Sequence, residues 1–466
     1  MKKEYRIIFL PGDDKFDEQL FAMSSIKGND YRNIWSYFIE GGPENGINLL
    51  KYILYLNNAT KKPPAAKKIS SVGIYWPDFN EINAETLQTK WRIKKRPVIA
   101  ITFYSALLQS GQTEVIDALI SELEKDYNCI PIHSKSFKDK KNRDVTRFLL
   151  KKYNPISVIN LTGFSLSGIS SSKTIFDDAR RPVFQVILSS MSEHEWQHSS
   201  KGLNNRDIIM SISLPEIDGR IITKTVAFKE EISFDKITQT KLLEYIPHDF
   251  GINYICNLVK NWSKLSVTSN EKKNIFITLA NYPNKDSRIA NGVGLDTPSS
   301  IVHLIKKLKK LNYKILNFPS NSDELMKKLI SGQTNSHEKI KLKTNKYLSL
   351  DDYKNYFEDL PKNIQSAINK KWGSIEKDPF TRGKNIVLPI QKFGNLSLGI
   401  QPSRGYNIDP KNSYHSPDLV PPHSYFAFYF WVKYKFKAHA IIQFGKHGNL
   451  EWLPGKSLSL SQNCYP

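Results

Sequence analysis

Short runs of nearly uninterrupted apolar residues recur along this chain, each followed by a segment of helical period, and that alternation admits few folds. Val98 to Phe103, Cys129 to Ile132, Val158 to Leu161 and Val183 to Leu188 show no polar alternation, so strands built from them must be covered on both faces, as in a parallel sheet between layers of helices. Between them, Val115, Ile116, Leu119, Ile120 and Leu123 repeat at helical spacing within Thr113 to Leu123, and a second helix is expected from Asp144 to Tyr153. The rhythm resumes at Asn274: a strand Ile275 to Ala280, a long polar loop Asn281 to Pro298, a helix ending near Asn312, a strand Tyr313 to Phe318 and a helix Asp323 to Ile330. The expected fold class is α/β, multi-domain, with successive doubly wound, mostly parallel sheets flanked by helices.

The 466 residues suggest about three domains by length, and the texture divides them further. Residues 1–95 read as a partial N-terminal α/β segment, with a turn at Glu40 to Asn45, a helix from Gly46 to Leu56 and an exposed stretch at Lys61 to Lys68. Residues 96–265 read as an α/β domain and 266–346 as a second α/β unit. Residues 347–466 read as the start of a further body, first helical through Trp372, then a strand Leu396 to Gln401, an aromatic helix Ser424 to Phe436 and a strand Ala440 to Phe444.

Composition excludes several functions. Cys129, Cys256 and Cys464 are far apart and form no CxxC pair, which favours a reducing compartment, by default the cytoplasm. The apolar run Ile7 to Leu10 is too brief for a signal peptide, and Tyr425 to Phe436, interrupted by Lys433 and Lys435, falls short of the roughly 20 residues of a membrane span. The net charge of +22 raises the question of nucleic acid. Much of the lysine, however, lies on solvated helix faces such as Lys306, Lys307, Lys309 and Lys310, opposite Leu304, Ile305, Leu308 and Leu311, so neither a nucleic acid nor a membrane is expected as partner. No dinucleotide fingerprint GxGxxG follows a strand. Gly455-Lys456-Ser457 resembles the end of a phosphate loop, but Leu450 stands where that loop needs its first glycine.

Chemistry concentrates near the C-terminus. Four of the ten histidines, His415, His423, His439 and His447, fall between Tyr414 and Gly448. His439 just precedes a strand and reads as a structural strand-edge residue. His423, at the start of the aromatic helix, either caps that helix or faces a site. His447 and Glu451 occupy a Gly-bounded loop straight after a strand, where α/β sheets present ligand-binding groups. The loop after Leu396 to Gln401 carries Arg404, Tyr406 and Asp409. If both strands are parallel, the two loops leave one edge of the sheet, and Arg404, Tyr406, Asp409, His423, His447 and Glu451 can converge. Alternatively, Arg404 pairs with Asp409 and Tyr406 packs. Imidazole with carboxylate can ligate a divalent metal or move protons near neutral pH, as insertion of a metal into a tetrapyrrole requires.

At these residues the chain resembles the large subunits of the CobN and magnesium chelatase family. The resemblance is carried by Gly445 to Lys456 (GKHGNLEWLPGK), Gly399 to Pro410 (GIQPSRGYNIDP), Tyr414-His415, Asp418 to His423 (DLVPPH), Ala280 to Asn284 (ANYPN), Asn291 to Pro298 (NGVGLDTP) and Gly41 to Asn45 (GGPEN). It implies ATP-dependent insertion of cobalt(II), the substrate metal, into the corrin precursor hydrogenobyrinic acid a,c-diamide. It also implies ATP and magnesium on two smaller partner subunits, one an AAA+ ATPase, rather than on this chain. It assigns His447 and Glu451 to proton abstraction and metal handling. Arg404 and Lys456 are expected to hold macrocycle carboxylates, with Tyr406, Asp409, His423 and Asn449 also lining the substrate. Magnesium relatives read closer to GTHGSLEFMPGK, against Lys446, Asn449, Trp452 and Leu453 here, which favours cobalt over magnesium and protoporphyrin. A non-catalytic tetrapyrrole-binding protein is the reading outside catalysis. The resemblance further implies a fragment lacking both ends of the family's chains, for which activity on its own is not expected.

Overall fold

In a computed structural model, residues 5–167, 173–177, 181–281, 285–336, 346–406, 416–445, 448 and 450–466 are described. The chain forms two compact units, residues 1–196 with 203–257, and 197–202 with 258–466. The four expected segments therefore merge. Strands on both sides of residue 95 share one sheet, and strands on both sides of residue 346 share another, because hydrogen-bonded pairing joins segments that differ in texture.

The first unit is built on an eight-stranded sheet in the order β2-β1-β4-β3-β5-β6-β7-β8. Its strands are β1 (Val72–Trp76), β2 (Asn80–Ile82), β3 (Val98–Tyr104), β4 (Asn128–Ser134), β5 (Ser157–Asn160), β6 (Val183–Ser189), β7 (Ile221–Asp235) and β8 (Thr240–Pro247). Strands β4, β3, β5, β6 and β7 run parallel, as their apolar runs require, and β1, β2 and β8 add antiparallel edges. Every residue of β4 and β5 is buried. The helices Glu114–Leu123 and Lys140–Tyr153 fall where the periodicity put them.

The second unit holds a four-stranded sheet, β13-β14-β9-β15, from β9 (Ile275–Leu279), β13 (Ile390–Phe393), β14 (Leu396–Ile400) and β15 (Ala440–Phe444). Leu396 of β14 and Ala440 of β15 both pair with Ile275, and Ile400 and Phe444 both pair with Leu279, all in parallel. One face packs Ile275, Ile277, Leu279, Leu398 and Ile400 against Ile301, Ile305, Leu325 and Leu329 of the helices Thr297–Lys310 and Ser322–Ser331. The other packs Phe276 against Phe428 and Trp431. The aromatic helix runs His423–Phe430 and continues as a π-helical turn, Trp431–Lys435. A small antiparallel sheet, β10 (Lys346–Ser349), β12 (Asn385–Leu388) and β11 (Thr381–Arg382), completes this unit.

One expected strand does not form. Tyr313 to Phe318 makes a single bridge, Ile315 to Gly394. The place beside β14 is taken by β13, which turns back through Gly394 at φ +71° and pairs along its whole length. Local hairpin closure thereby displaces a strand that would have come from far away in sequence.

Candidate functional site

Because β14, β9 and β15 are parallel and in register, the polar loops that follow them leave one edge of the sheet. This is the carboxyl edge, where α/β sheets bind ligands. The two loops singled out in the sequence are not neighbours: β9 lies between their strands, and its own loop, beginning Ala280-Asn281, lies between theirs. Asp409, His447 and Asn449, with His415, lie outside the described residues.

Glu451 sits in a single 3-10 turn, Leu450–Trp452, and is exposed. Its Oε2 would stand 3.3 Å from a Cβ placed on Gly448, so the bare glycine lets the carboxylate fold back over the loop that carries it. Among the described residues no group of three or more His, Cys, Asp or Glu is arranged to hold a metal.

The other candidates are turned inward. Arg404 is 1% exposed, and its Nη2 donates to the carbonyls of Ser416 at 3.0 Å and Leu419 at 3.4 Å. Burial pulls its pKa down. Tyr406 packs on Trp372 with ring centroids 4.7 Å apart, burial pushes its hydroxyl pKa up, and Trp372 Nε1 donates to the Val420 carbonyl at 2.9 Å. His423 is 1% exposed. Its Nε2 faces the Gly373 carbonyl at 2.8 Å and its Nδ1 the Tyr353 hydroxyl at 2.7 Å. A carbonyl only accepts, so Nε2 carries the proton and Nδ1 accepts from Tyr353. Burial lowers the His423 pKa and keeps the ring neutral.

Arg404 and Trp372, on which Tyr406 packs, both reach carbonyls of the segment 416–420, whereas His423 is held by Tyr353 and Gly373. Nη2 of Arg404 and both ring nitrogens of His423 are thus engaged within the fold. Lys456 is likewise engaged within the fold. Its Nζ donates to the carbonyls of Gln197 at 2.9 Å and Ser199 at 2.7 Å, and burial lowers its pKa. His439 is structural as expected, its Nδ1 accepting from the Asn274 N–H at 3.0 Å.

Two residues were given no role in the sequence reading. Asp378, 2% exposed, accepts from the N–H groups of Phe380 at 3.0 Å and Ser424 at 2.9 Å, capping the aromatic helix. Burial pushes its carboxyl upward against those bonds. Asn281 ends the central strand, is 2% exposed, and among the described residues has no hydrogen-bond partner for either Oδ1 or Nδ2. The signal for Asn281 was its place directly after β9; Asp378 has none in sequence.

The family model CobN/Magnesium Chelatase matches residues 35–466. The chain belongs to that family. It is 40% identical over 474 residues to the aerobic cobaltochelatase subunit CobN of Sinorhizobium sp, a match covering 99% of this chain and 37% of that protein. The chloroplastic magnesium-chelatase subunit ChlH of Oryza sativa subsp. indica is 25% identical over 491 residues, covering 98% of this chain and 33% of the relative. Among solved structures, the catalytic subunit of cobaltochelatase from Mycobacterium tuberculosis superimposes with a TM-score of 0.79 at 25% identity, over 98% of this chain and 38% of that one. The chain thus spans little more than a third of the length of these cobaltochelatase relatives. No helix among the described residues is long and apolar enough to cross a membrane.

Proposed function

We propose that this chain supplies the macrocycle-facing rim of the large subunit of a metal chelatase, which inserts cobalt(II) into hydrogenobyrinic acid a,c-diamide during cobalamin biosynthesis. ATP and magnesium act on two smaller partner subunits, one of them an AAA+ ATPase. The observation that carries the reading is the common edge of β14, β9 and β15, from which the loop holding the exposed Glu451 emerges. Metal insertion requires the macrocycle's ring N–H protons to leave as the metal arrives, and a carboxylate held at the rim can accept them. His447, in the same loop, hands over the metal and shares the proton traffic. Tyr406, Asp409 and Asn449 line the substrate, whereas Arg404, His423 and Lys456 brace the segments around it. The greater identity to the cobalt relative supports cobalt over magnesium.

The test is Glu451→Gln in the assembled chelatase. The expected outcome is unchanged macrocycle affinity with insertion slowed by about 10²- to 10⁴-fold, the range of general base catalysis; full insertion by the variant would remove Glu451 from the reaction. Insertion of magnesium into protoporphyrin, with the corrin left metal-free, would replace the cobalt reading by the magnesium one.

A further inference from the structure

The amide of Asn281 does not fit a purely structural role. A buried amide left without partners destabilises the fold that contains it, and native proteins keep few such groups. Among the described residues, several buried side chains have one polar atom without a hydrogen bond, but Asn281 has both its donor and its acceptor in that condition. Its position adds a second argument. It directly follows the central strand of the three whose loops form the rim, and its backbone bridges to Ile289 as the chain returns toward the helix Thr297–Lys310. At the first residue of that helix, Thr297 is fully buried and its Oγ1 likewise has no partner among the described residues. Among its described residues, the stretch from Asn281 to Thr297 therefore holds three buried side-chain polar atoms without a partner, at the carboxyl edge of a parallel sheet and at the start of a helix of 14 residues.

An amide with both halves available selects its complement. A carboxylate accepts from Nδ2 but leaves Oδ1 facing negative charge, and an ammonium or guanidinium group leaves Nδ2 without an acceptor. A carboxamide satisfies both at once and brings no charge into a buried place. Building on the chelatase reading above, we infer that Asn281 recognises a neutral carboxamide on the periphery of the macrocycle, so that it separates amidated corrins from their free acids.

The test compares wild type with Asn281→Leu in the full chain, titrated with a metal-free corrin carrying two peripheral carboxamides and with the same corrin as the free acid. Thermal denaturation of the ligand-free proteins is followed in parallel. Leucine removes the unpartnered amide, so the ligand-free melting temperature holds or rises, while affinity for the amidated corrin falls at least about tenfold and affinity for the acid changes little. Unchanged affinity for the amidated corrin overturns the inference. If leucine lowers the melting temperature, Asn281→Asp decides: its carboxylate keeps the shape but loses the donor, and the same tenfold preference for the amide is expected to vanish, whereas its persistence overturns the inference. Wild type that binds both corrins equally overturns the role of Asn281 alone, and wild type that binds neither overturns the chelatase reading on which it rests.

Discussion

The sheets of the two units share one device, parallel strands whose carboxyl ends feed polar loops, and treat it in opposite ways. In the first unit β4 and β5 lie on either side of β3, so the crevice favoured for ligands falls between β3 and β5. It is closed from within. Thr102 donates to Asn160 at 2.7 Å, Asn160 to Gln185 at 2.7 Å, and Arg220 to Gln185 at 2.9 Å and to Asp218 at 2.7 Å. Asp218 in turn accepts from Ser165 Oγ at 2.7 Å and from the N–H groups of Leu166 and Ser167 at 2.6 and 3.1 Å, as a bound anion would. At the corresponding edge of the second unit, Asn281 keeps its amide unbonded among the described residues and Glu451 reaches solvent. Topology shows where a ligand can sit; hydrogen-bond accounting distinguishes the edge that still has groups to offer.

The contrast can be broken most severely at the Arg220–Asp218 pair, whose side chains are each 1% exposed. Asp218→Asn leaves a buried guanidinium without its counter-charge and is expected to destabilise the first unit by about 3–5 kcal/mol in denaturant unfolding. A loss below about 1 kcal/mol would mean the network is not what closes this crevice.

The next effect is a pH dependence at His133, fully buried at the end of β4, with Ser105 Oγ 2.9 Å from its Nδ1 and the Glu81 carboxylate nearby. Burial lowers its pKa from 6.5 to about 4, against the pull of Glu81. Between those values the unfolded chain binds a proton that the folded chain refuses. This share of stability is therefore present above about pH 6.5 and lost progressively down to about pH 4, by about 3 kcal/mol in all. Unfolding of wild type and His133→Gln at several pH values would show the two curves converging on acidification; parallel curves would rule the effect out.

The smallest change sharpens the other side of the comparison. His423→Phe leaves the Tyr353 hydroxyl and the Gly373 carbonyl unpartnered and is expected to cost about 2 kcal/mol of stability. Macrocycle affinity should be unaltered at temperatures where the variant is folded. A selective loss of affinity would return His423 to the site.

Fold class was legible because buried parallel strands have no polar alternation to disguise them, and Ala440–Phe444 was placed to the residue. The strands β1, β2, β7, β8 and β10 to β13 were missed: most are short, β7 and β8 are exposed along part of their length, and pairing rather than composition defines them. The common edge of the loops after β14 and β15 followed from the parallel rule, but nothing local to either strand announces that β9 runs between them. For side chains the limit is sharper. Arg404, His423 and Lys456 have the chemistry of ligand contacts, and sequence cannot tell that each also bonds to groups of the fold distant in the chain. Asn281 stood within a resemblance motif but was given no role, for the converse reason that a missing hydrogen bond leaves no trace in composition.

The placement of β9 also bears on how this sheet assembles. Ile275 finds its two partners only at Leu396 and Ala440, so one edge of the central strand stays uncovered until the chain through Ile400 has been made and the other until Phe444 has been made. Such non-local pairing is slow to form and leaves an apolar strand open to aggregation meanwhile, which makes prompt shielding of Ile275–Leu279 during synthesis a condition for obtaining active protein.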